Sequence, residues 1–145
     1  MRERGFTLFE MVVVLAILAL ALALVPPMLG GSRARAELRA SARAVAAGLR
    51  ETRTLAMAHG RAEVFALDLA ASSYRGAGDK SAHALPPDVR AALLTVAGER
   101  MTDTAAGIRF FPDGSSTGGR VTLLRDGRKI EIAVDWLTGR VAFQE

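Results

Sequence analysis

The residue best placed to do chemistry is Glu10, because it lies at the start of a long apolar segment. Residues 11–29 carry no ionisable side chain. A carboxylate inside a membrane costs about 2.5–3.5 kcal/mol on insertion scales, so such a residue is a candidate for contact with a charged partner. The alternative is that Glu10 lies near the membrane interface, where its carboxylate reaches water.

The other patterns that could carry chemistry are weak. The chain has no cysteine, which excludes disulfides, thiolate metal sites and cysteine nucleophiles. His59 and His83 are the two histidines, and their separation disfavours a zinc site. Residues 113–119 are rich in Gly and Ser but lack the Lys of a phosphate-binding loop. No EF-hand spacing or catalytic triad is present. We therefore predict no enzyme, no metal and no cofactor.

The element that must position Glu10 is the apolar run of residues 6–29. A bilayer core about 30 Å thick needs roughly 20 apolar residues of helix, so this run is long enough to span it. It is too long for the apolar core of a secretory signal, and the charged leader before it is short. Near its end, Pro26 and Pro27 predict either a bend in the helix or its end at the membrane surface.

The segment Gly5-Phe6-Thr7-Leu8-Phe9-Glu10, between a short basic leader and this apolar run, resembles the class III signal of type IV pilins and type II secretion pseudopilins. The resemblance implies that a prepilin peptidase cuts between Gly5 and Phe6 and that Phe6 is then N-methylated. It makes residues 1–5 a leader peptide, residues 6–29 a transmembrane helix and residues 30–145 a periplasmic pilin-like domain. Glu10 becomes the fifth residue of the mature chain.

This resemblance gives Glu10 a physical role in assembly. Cleavage creates a charged α-amino group at the head of an apolar helix. The Glu10 carboxylate of a staggered neighbouring subunit could pair with it, which would remove two charge penalties and fix the axial register of the helices. Gly5 suits a site where the peptidase has to approach the backbone closely.

The flanking charges do not support the orientation that the resemblance implies. Pilin-like proteins are bacterial inner-membrane proteins with the N-terminus in the cytoplasm. The positive-inside rule counts Arg2 and Arg4 before the run against four arginines at positions 33, 35, 39 and 43 after it, which points the other way. The formal net charge of +4 over 145 residues is modest, so nucleic acid is disfavoured as a partner.

Beyond the apolar run, residues 32–59 have helical periodicity, with Ser32 as a candidate N-cap and Gly60 as a stop signal. The predicted core stripe comprises Leu38, Ala42, Val45, Leu49, Thr52 and Ala56. The arginines of this helix could form a DNA- or lipid-binding face, but a solvated surface is favoured.

The last part of the chain reads as strands. We predict strands at residues 61–69, 108–111, 120–124, 129–134 and 140–143, with a loop and one short strand at 72–87, a helical turn at 88–94 and an ambiguous stretch at 95–106. Asp126-Gly127 predicts a hairpin turn and Gly139 a left-handed residue. Asp113, Asp126 and Asp135 are expected to make local turn hydrogen bonds. The predicted class is α+β and pilin-like, with a long N-terminal helix, transmembrane and then amphipathic, packed on a mostly antiparallel β-sheet.

Two blocks, residues 111–119 and 134–141, resemble the minor pseudopilin H group of type II secretion, which shares a domain family with FimT-type minor pilins. The implied function is a minor pseudopilin at the tip of a periplasmic filament that exports folded proteins. Its implied partners are other pseudopilins, the prepilin peptidase and inner-membrane lipid. The alternatives are a FimT-like minor pilin of a type IV pilus or a membrane-anchored domain that does not assemble. Phe111 and Trp136 are expected to pack in the core or a turn, with a partner contact as the alternative.

Overall fold

The computed structural model describes residues 7–95 and 105–144, without the side chains of residues 23–31. Gly5 and Phe6, the predicted processing residues, lie outside these ranges. The chain divides into two compact units, Met1–Arg35 and Ala36–Glu145. The first unit contributes the start of a long helix, and the second contains the rest of the helix and all the strands.

Helix α1 runs from Leu8 to His59 over 52 residues. The helix continues through Pro26 and Pro27, so the predicted helix end at this pair is wrong, and the bend stays a prediction. A proline removes its own N–H from the helix ladder and its ring crowds the carbonyl four residues earlier, which is the physical reason for expecting a bend. Ser32 is inside the helix and is therefore not an N-cap. The predicted end is confirmed, because Gly60 follows the helix with a left-handed φ of 62°.

The second half of α1 buries one face against the sheets. The predicted stripe is confirmed, since all six of its residues are at most 2% exposed. The single polar member, Thr52, is fully satisfied: its hydroxyl donates to the Gly48 carbonyl at 2.7 Å and accepts from Ala77 N at 3.2 Å. Burying this hydroxyl therefore leaves no unpaired polar group in the core.

Among the residues that the structure describes, eight strands follow the helix. They are β1 (Glu63–Asp68), β2 (Ser73–Arg75), β3 (His83–Ala84), β4 (Arg90–Leu94), β5 (Ala105–Phe110), β6 (Gly119–Arg125), β7 (Arg128–Val134) and β8 (Val141–Gln144). They form two four-stranded antiparallel sheets, in the orders β3-β2-β1-β5 and β4-β6-β7-β8. The predicted α+β class, a long helix packed on a mostly antiparallel β-sheet domain, is confirmed, and the strands fall into two sheets that share one hydrophobic core with α1.

Two local predictions differ from the structure. Residues 90–94 form strand β4 rather than a helical turn, because the segment pairs with β6 along its length, from Arg90 opposite Leu124 to Leu94 opposite Arg120. Ala and Leu favour helices in isolation, but pairing and burial of alternate side chains override this preference. The loop of residues 72–87 contains two short strands instead of one.

The sheet ends are fixed by turns and by one charged cluster. Asp126 and Gly127 have φ values of 49° and 72°, which confirms the predicted two-residue hairpin turn between β6 and β7. At the same hairpin, the Arg125 guanidinium pairs with Glu37 of α1 and, at 3.3 Å, with Asp88. This cluster ties the hairpin to the helix and to the chain entering β4.

Candidate assembly site

The start of helix α1 is capped by Thr7. The Thr7 carbonyl accepts hydrogen bonds from the backbone N–H groups of Glu10 at 3.1 Å and Met11 at 3.2 Å. The Thr7 hydroxyl also accepts from Glu10 N at 3.3 Å. Thr-x-x-Glu is the capping-box spacing, in which the glutamate can reach back to the N–H of the capping residue. The predicted site residues do not include Thr7, although this spacing is visible in the sequence.

The first turns of the helix are apolar all round. Leu8 is 83% exposed and Phe9 is 77% exposed, and every side chain described from there to Leu22 is exposed in the isolated chain. Such a helix is stable only when lipid or other apolar helices surround it. Glu10 is the single charged side chain of this segment, and it forms no ion pair with any residue that the structure describes.

The predicted membrane span, residues 6–29, lies partly outside the described residues. Within the part of the chain that is described, no helix combines the length and apolar character needed to cross a membrane.

The two blocks that carry the second resemblance come together in space. Ser116 is 5% exposed, and its N–H donates to the Trp136 carbonyl at 2.8 Å. Its hydroxyl donates to the Asp135 carbonyl at 3.0 Å and accepts from Gly118 N at 3.0 Å. Ser116 thus bonds both to its own loop, through Gly118, and to the second block, through Asp135 and Trp136. These hydrogen bonds join residues 111–119 to residues 134–141.

The aspartates of these loops make the predicted local hydrogen bonds. Asp135 Oδ1 accepts from the Thr138 hydroxyl and from Thr138 N, each at 2.8 Å, and these bonds hold the Asp135 pKa below its usual value. Asp113 Oδ1 accepts from the Ser115 hydroxyl at 2.6 Å and from Ser115 N at 2.9 Å, which likewise lowers the Asp113 pKa. Both carboxylates therefore stabilise turns in their ionised form.

The expectation that Trp136 packs in the core is wrong. Trp136 is 66% exposed and its neighbour Leu137 is 63% exposed. The backbone of this turn is held by Ser116 and Asp135, so the turn can present two large apolar side chains to solvent without burying them. Phe111 is half-buried, in agreement with a turn-packing role. The alternative of a partner contact stays open for Trp136.

Both histidines lie at the surface of the fold, and each contacts a carboxylate. His59 Nδ1 lies 3.2 Å from Glu63 Oε1, and His83 Nε2 lies 2.9 Å from Asp79 Oδ1. The hydrogen bond with His83 lowers the Asp79 pKa, and a bond from Gly76 N adds to this shift. In the described ranges, no group of three acidic or histidine side chains could hold a metal ion.

A long helix whose second half packs on antiparallel sheets, and whose first turns are apolar on all sides, defines a pilin-like protein. The minor pseudopilin EpsH from the Type 2 Secretion System of Vibrio cholerae has this fold, with a TM-score of 0.57 and 13% identity over 74% of this chain and 96% of that chain. The type IV minor pilin FimU of Pseudomonas aeruginosa has it too, with a TM-score of 0.55 and 14% identity over 77% of this chain and 90% of that chain. At these identities the likeness shows the fold alone.

Sequence comparison identifies the family. Residues 1–26 match the prokaryotic N-terminal methylation motif, and residues 41–138 match the model of the type II transport protein GspH. The type II secretion system protein H of Xanthomonas campestris pv. campestris is 36% identical over 142 residues, which cover 95% of this chain and 81% of that protein. This chain therefore belongs to the GspH family of type II transport proteins and is a minor pseudopilin.

Proposed function

We propose that this minor pseudopilin is anchored in the bacterial inner membrane by residues 6–29, with its N-terminus in the cytoplasm and residues 30–145 in the periplasm. There it helps to form the tip of a pseudopilus that drives the export of folded proteins. The observation that carries this proposal is the all-round exposure of an apolar helix that bears one carboxylate. Such a helix needs lipid before assembly and the helices of other pseudopilins after it.

Processing at the N-terminus is the first step of this function. A prepilin peptidase cuts between Gly5 and Phe6, and Phe6 becomes the N-methylated terminus. The match of residues 1–26 to the methylation motif supports this step. So does the position of the cap, because helix α1 begins at Leu8 behind Thr7 and the cut leaves one residue ahead of the capping residue. Mass spectrometry of the mature chain should find N-methylated Phe6; an uncut Met1 contradicts the proposal.

Glu10 then sets the register of the assembled helices. Thr7 already satisfies the Glu10 backbone N–H, and the Glu10 side chain forms no ion pair with a described residue. The carboxylate is therefore available to the charged terminus of a neighbouring subunit. In an apolar helix bundle this pairing neutralises both groups and is possible only at one stagger of the two helices.

The test exchanges Glu10 for Gln, which keeps the size of the side chain and removes its charge. Export of a protein that the type II secretion system carries should fall to about a tenth or less. The reason is that the charged N-terminus of the neighbouring subunit would be left unpaired in the helix bundle, and an unpaired buried charge costs about 3–5 kcal/mol. The matched control is Glu51→Gln, which changes an exposed glutamate of the same helix within the unit Ala36–Glu145. Cells that carry this variant should export normally. Mass spectrometry must show that Glu10→Gln is still cleaved and methylated. Normal export by a processed Glu10→Gln chain would contradict the proposed role.

A further inference from the structure

The unit Ala36–Glu145 carries a basic pocket that the helix-mediated assembly does not use. Three arginines line it, Arg50 and Arg53 from helix α1 and Arg140 from the chain entering β8. The hydroxyl-bearing residues Thr54 and Thr138 line it as well, and its volume is about 690 Å³. We call this set of residues the arginine pocket.

The arginine pocket has more positive than negative charge. None of the three arginines forms an ion pair with a described residue. The single acidic residue in the lining is Asp135, whose carboxylate accepts two hydrogen bonds from Thr138. Three guanidinium groups around one engaged carboxylate repel one another, and an added anion relieves this repulsion.

The geometry of the pocket is fixed before any ligand binds. Arg50 Nη2 donates to the Val141 carbonyl at 3.3 Å, and Arg53 Nε donates to the Gly114 carbonyl at 2.9 Å. Gly139 has a left-handed φ of 63°, and a Cβ at this position would collide with the Gly114 carbonyl and the Arg53 side chain. The loop of residues 135–141, which contains Gly139, therefore lies directly against Arg53. Because the pocket is already ordered, little conformational freedom is lost when a ligand fills it.

Two exposed apolar side chains belong to the same loop. Trp136 and Leu137 do not line the pocket themselves, but they immediately precede Thr138, which does, and they are 66% and 63% exposed. Trp and Arg are the residues most enriched at the energetic centres of protein interfaces. Nucleic acid is less suited to this surface, because Asp135 lies among the arginines and the net charge of the chain is only +4.

We propose that the arginine pocket, together with Trp136 and Leu137, binds an acidic segment of a protein partner. The carboxylates of that segment pair with Arg50 and Arg140, and an adjacent apolar side chain covers Trp136. Arg53 acts as a positioning residue, because its Nε donates to the Gly114 carbonyl and its side chain lies directly against Gly139, in the loop that carries Trp136 and Leu137. This surface lies in the unit Ala36–Glu145, so the inference does not depend on Glu10 or on the membrane anchor.

The test uses the fluorescence of Trp136, which is the only tryptophan of the chain. The full chain in detergent micelles is titrated with a short synthetic peptide that alternates Glu with Leu, which combines carboxylates for the arginines with apolar side chains for Trp136. We expect a saturable change in Trp136 emission that weakens at high salt. The double variant Arg50→Gln/Arg140→Gln should bind the peptide about tenfold more weakly, since charge-assisted contacts are lost.

The controls separate this surface from general basic attraction. Arg43→Gln removes an exposed arginine of the same helix that does not line the pocket, and it should leave the affinity unchanged. Leu137→Ser should weaken binding while all charges remain. The melting temperature of each variant checks folding. Equal affinity in the double variant, equal binding of a Lys–Leu peptide, or tighter binding of duplex DNA or anionic vesicles than of the acidic peptide overturns the proposal.

Discussion

At the scale of single residues, Thr7 and Glu10 have different roles at the start of helix α1: Thr7 caps the helix, and Glu10 is proposed to pair with a neighbouring subunit. The backbone N–H of Glu10 bonds to Thr7, and the Glu10 carboxylate forms no ion pair with a described residue. The Thr-x-x-Glu spacing is visible in the sequence, and the segment that resembles prepilin signals includes Thr7, but the resemblance assigned Thr7 no role of its own. The helix cap thus has a structural role inside the segment that matches the N-terminal methylation motif.

Replacing the cap should loosen the first turn of the helix. Thr7→Val removes the hydroxyl acceptor and should cost about 1 kcal/mol of local helix stability, whereas Thr7→Ser keeps it. Amide hydrogen exchange of the mature chain in micelles measures this directly at Glu10 and Met11. We expect faster exchange in Thr7→Val and wild-type exchange in Thr7→Ser. Equal protection in the two variants would show that the hydroxyl does not contribute.

The turn at Asp135 gives the fold an acid-sensitive element. Hydrogen bonds from Thr138 lower the pKa of the Asp135 carboxyl in the folded state, and the positive charge of Arg140 makes a smaller contribution. The ionised form therefore stabilises the fold above the ordinary aspartate pKa, and this contribution is lost as the pH falls through the lower folded pKa. Asp135→Asn keeps a side-chain acceptor and cannot titrate.

Melting temperatures of wild type and Asp135→Asn between about pH 2 and pH 7 check this expectation. The wild type should be the more stable chain near neutral pH, and the difference should shrink as the solution becomes acidic. Asp68→Asn, which replaces a half-buried carboxylate that accepts from Ala71 N, serves as a comparison at another turn. A difference that is constant with pH would contradict the proposed linkage.

At the scale of elements, hydrophobic periodicity predicted the packing of α1 correctly and failed for β4. The helix stripe extends over five turns, so period 3.6 is unmistakable between Leu38 and Ala56. Strand β4 has five residues, too few for a period to be assigned, and its Ala and Leu content favours a helix. What makes it a strand is its pairing with β6, a long-range contact that a local pattern does not contain.

Loss of packing between α1 and the sheets should destabilise the unit Ala36–Glu145. Leu49 is fully buried, so Leu49→Ala should lower the free energy of unfolding by about 2–5 kcal/mol through lost burial and a cavity. Met57→Ala is the matched control on the same helix, because Met57 is 40% exposed, and its effect should be much smaller. Urea unfolding followed by circular dichroism measures both. Equal effects would mean that the stripe is not the core of the fold.

At the scale of the whole molecule, the class of protein was predictable because its defining signals are local. The leader, Glu10 and the apolar run adjoin one another in the sequence, and the two C-terminal blocks are short. The division into two sheets and the exposure of Trp136 depend on which distant segments meet, as Ser116 and the 134–141 block do. Sequence patterns report burial only where a period is long enough, so the orientation of a single loop tryptophan escapes them.

The central claim is that this chain acts in type II secretion and not in a type IV pilus, two systems that the shared fold does not separate. The most direct measurement deletes its gene in the host and assays export of extracellular enzymes, surface piliation and DNA uptake in the same strain. We predict that export is lost, that pili and DNA uptake are intact, and that the wild-type gene restores export. Normal export with loss of piliation or uptake would contradict the account.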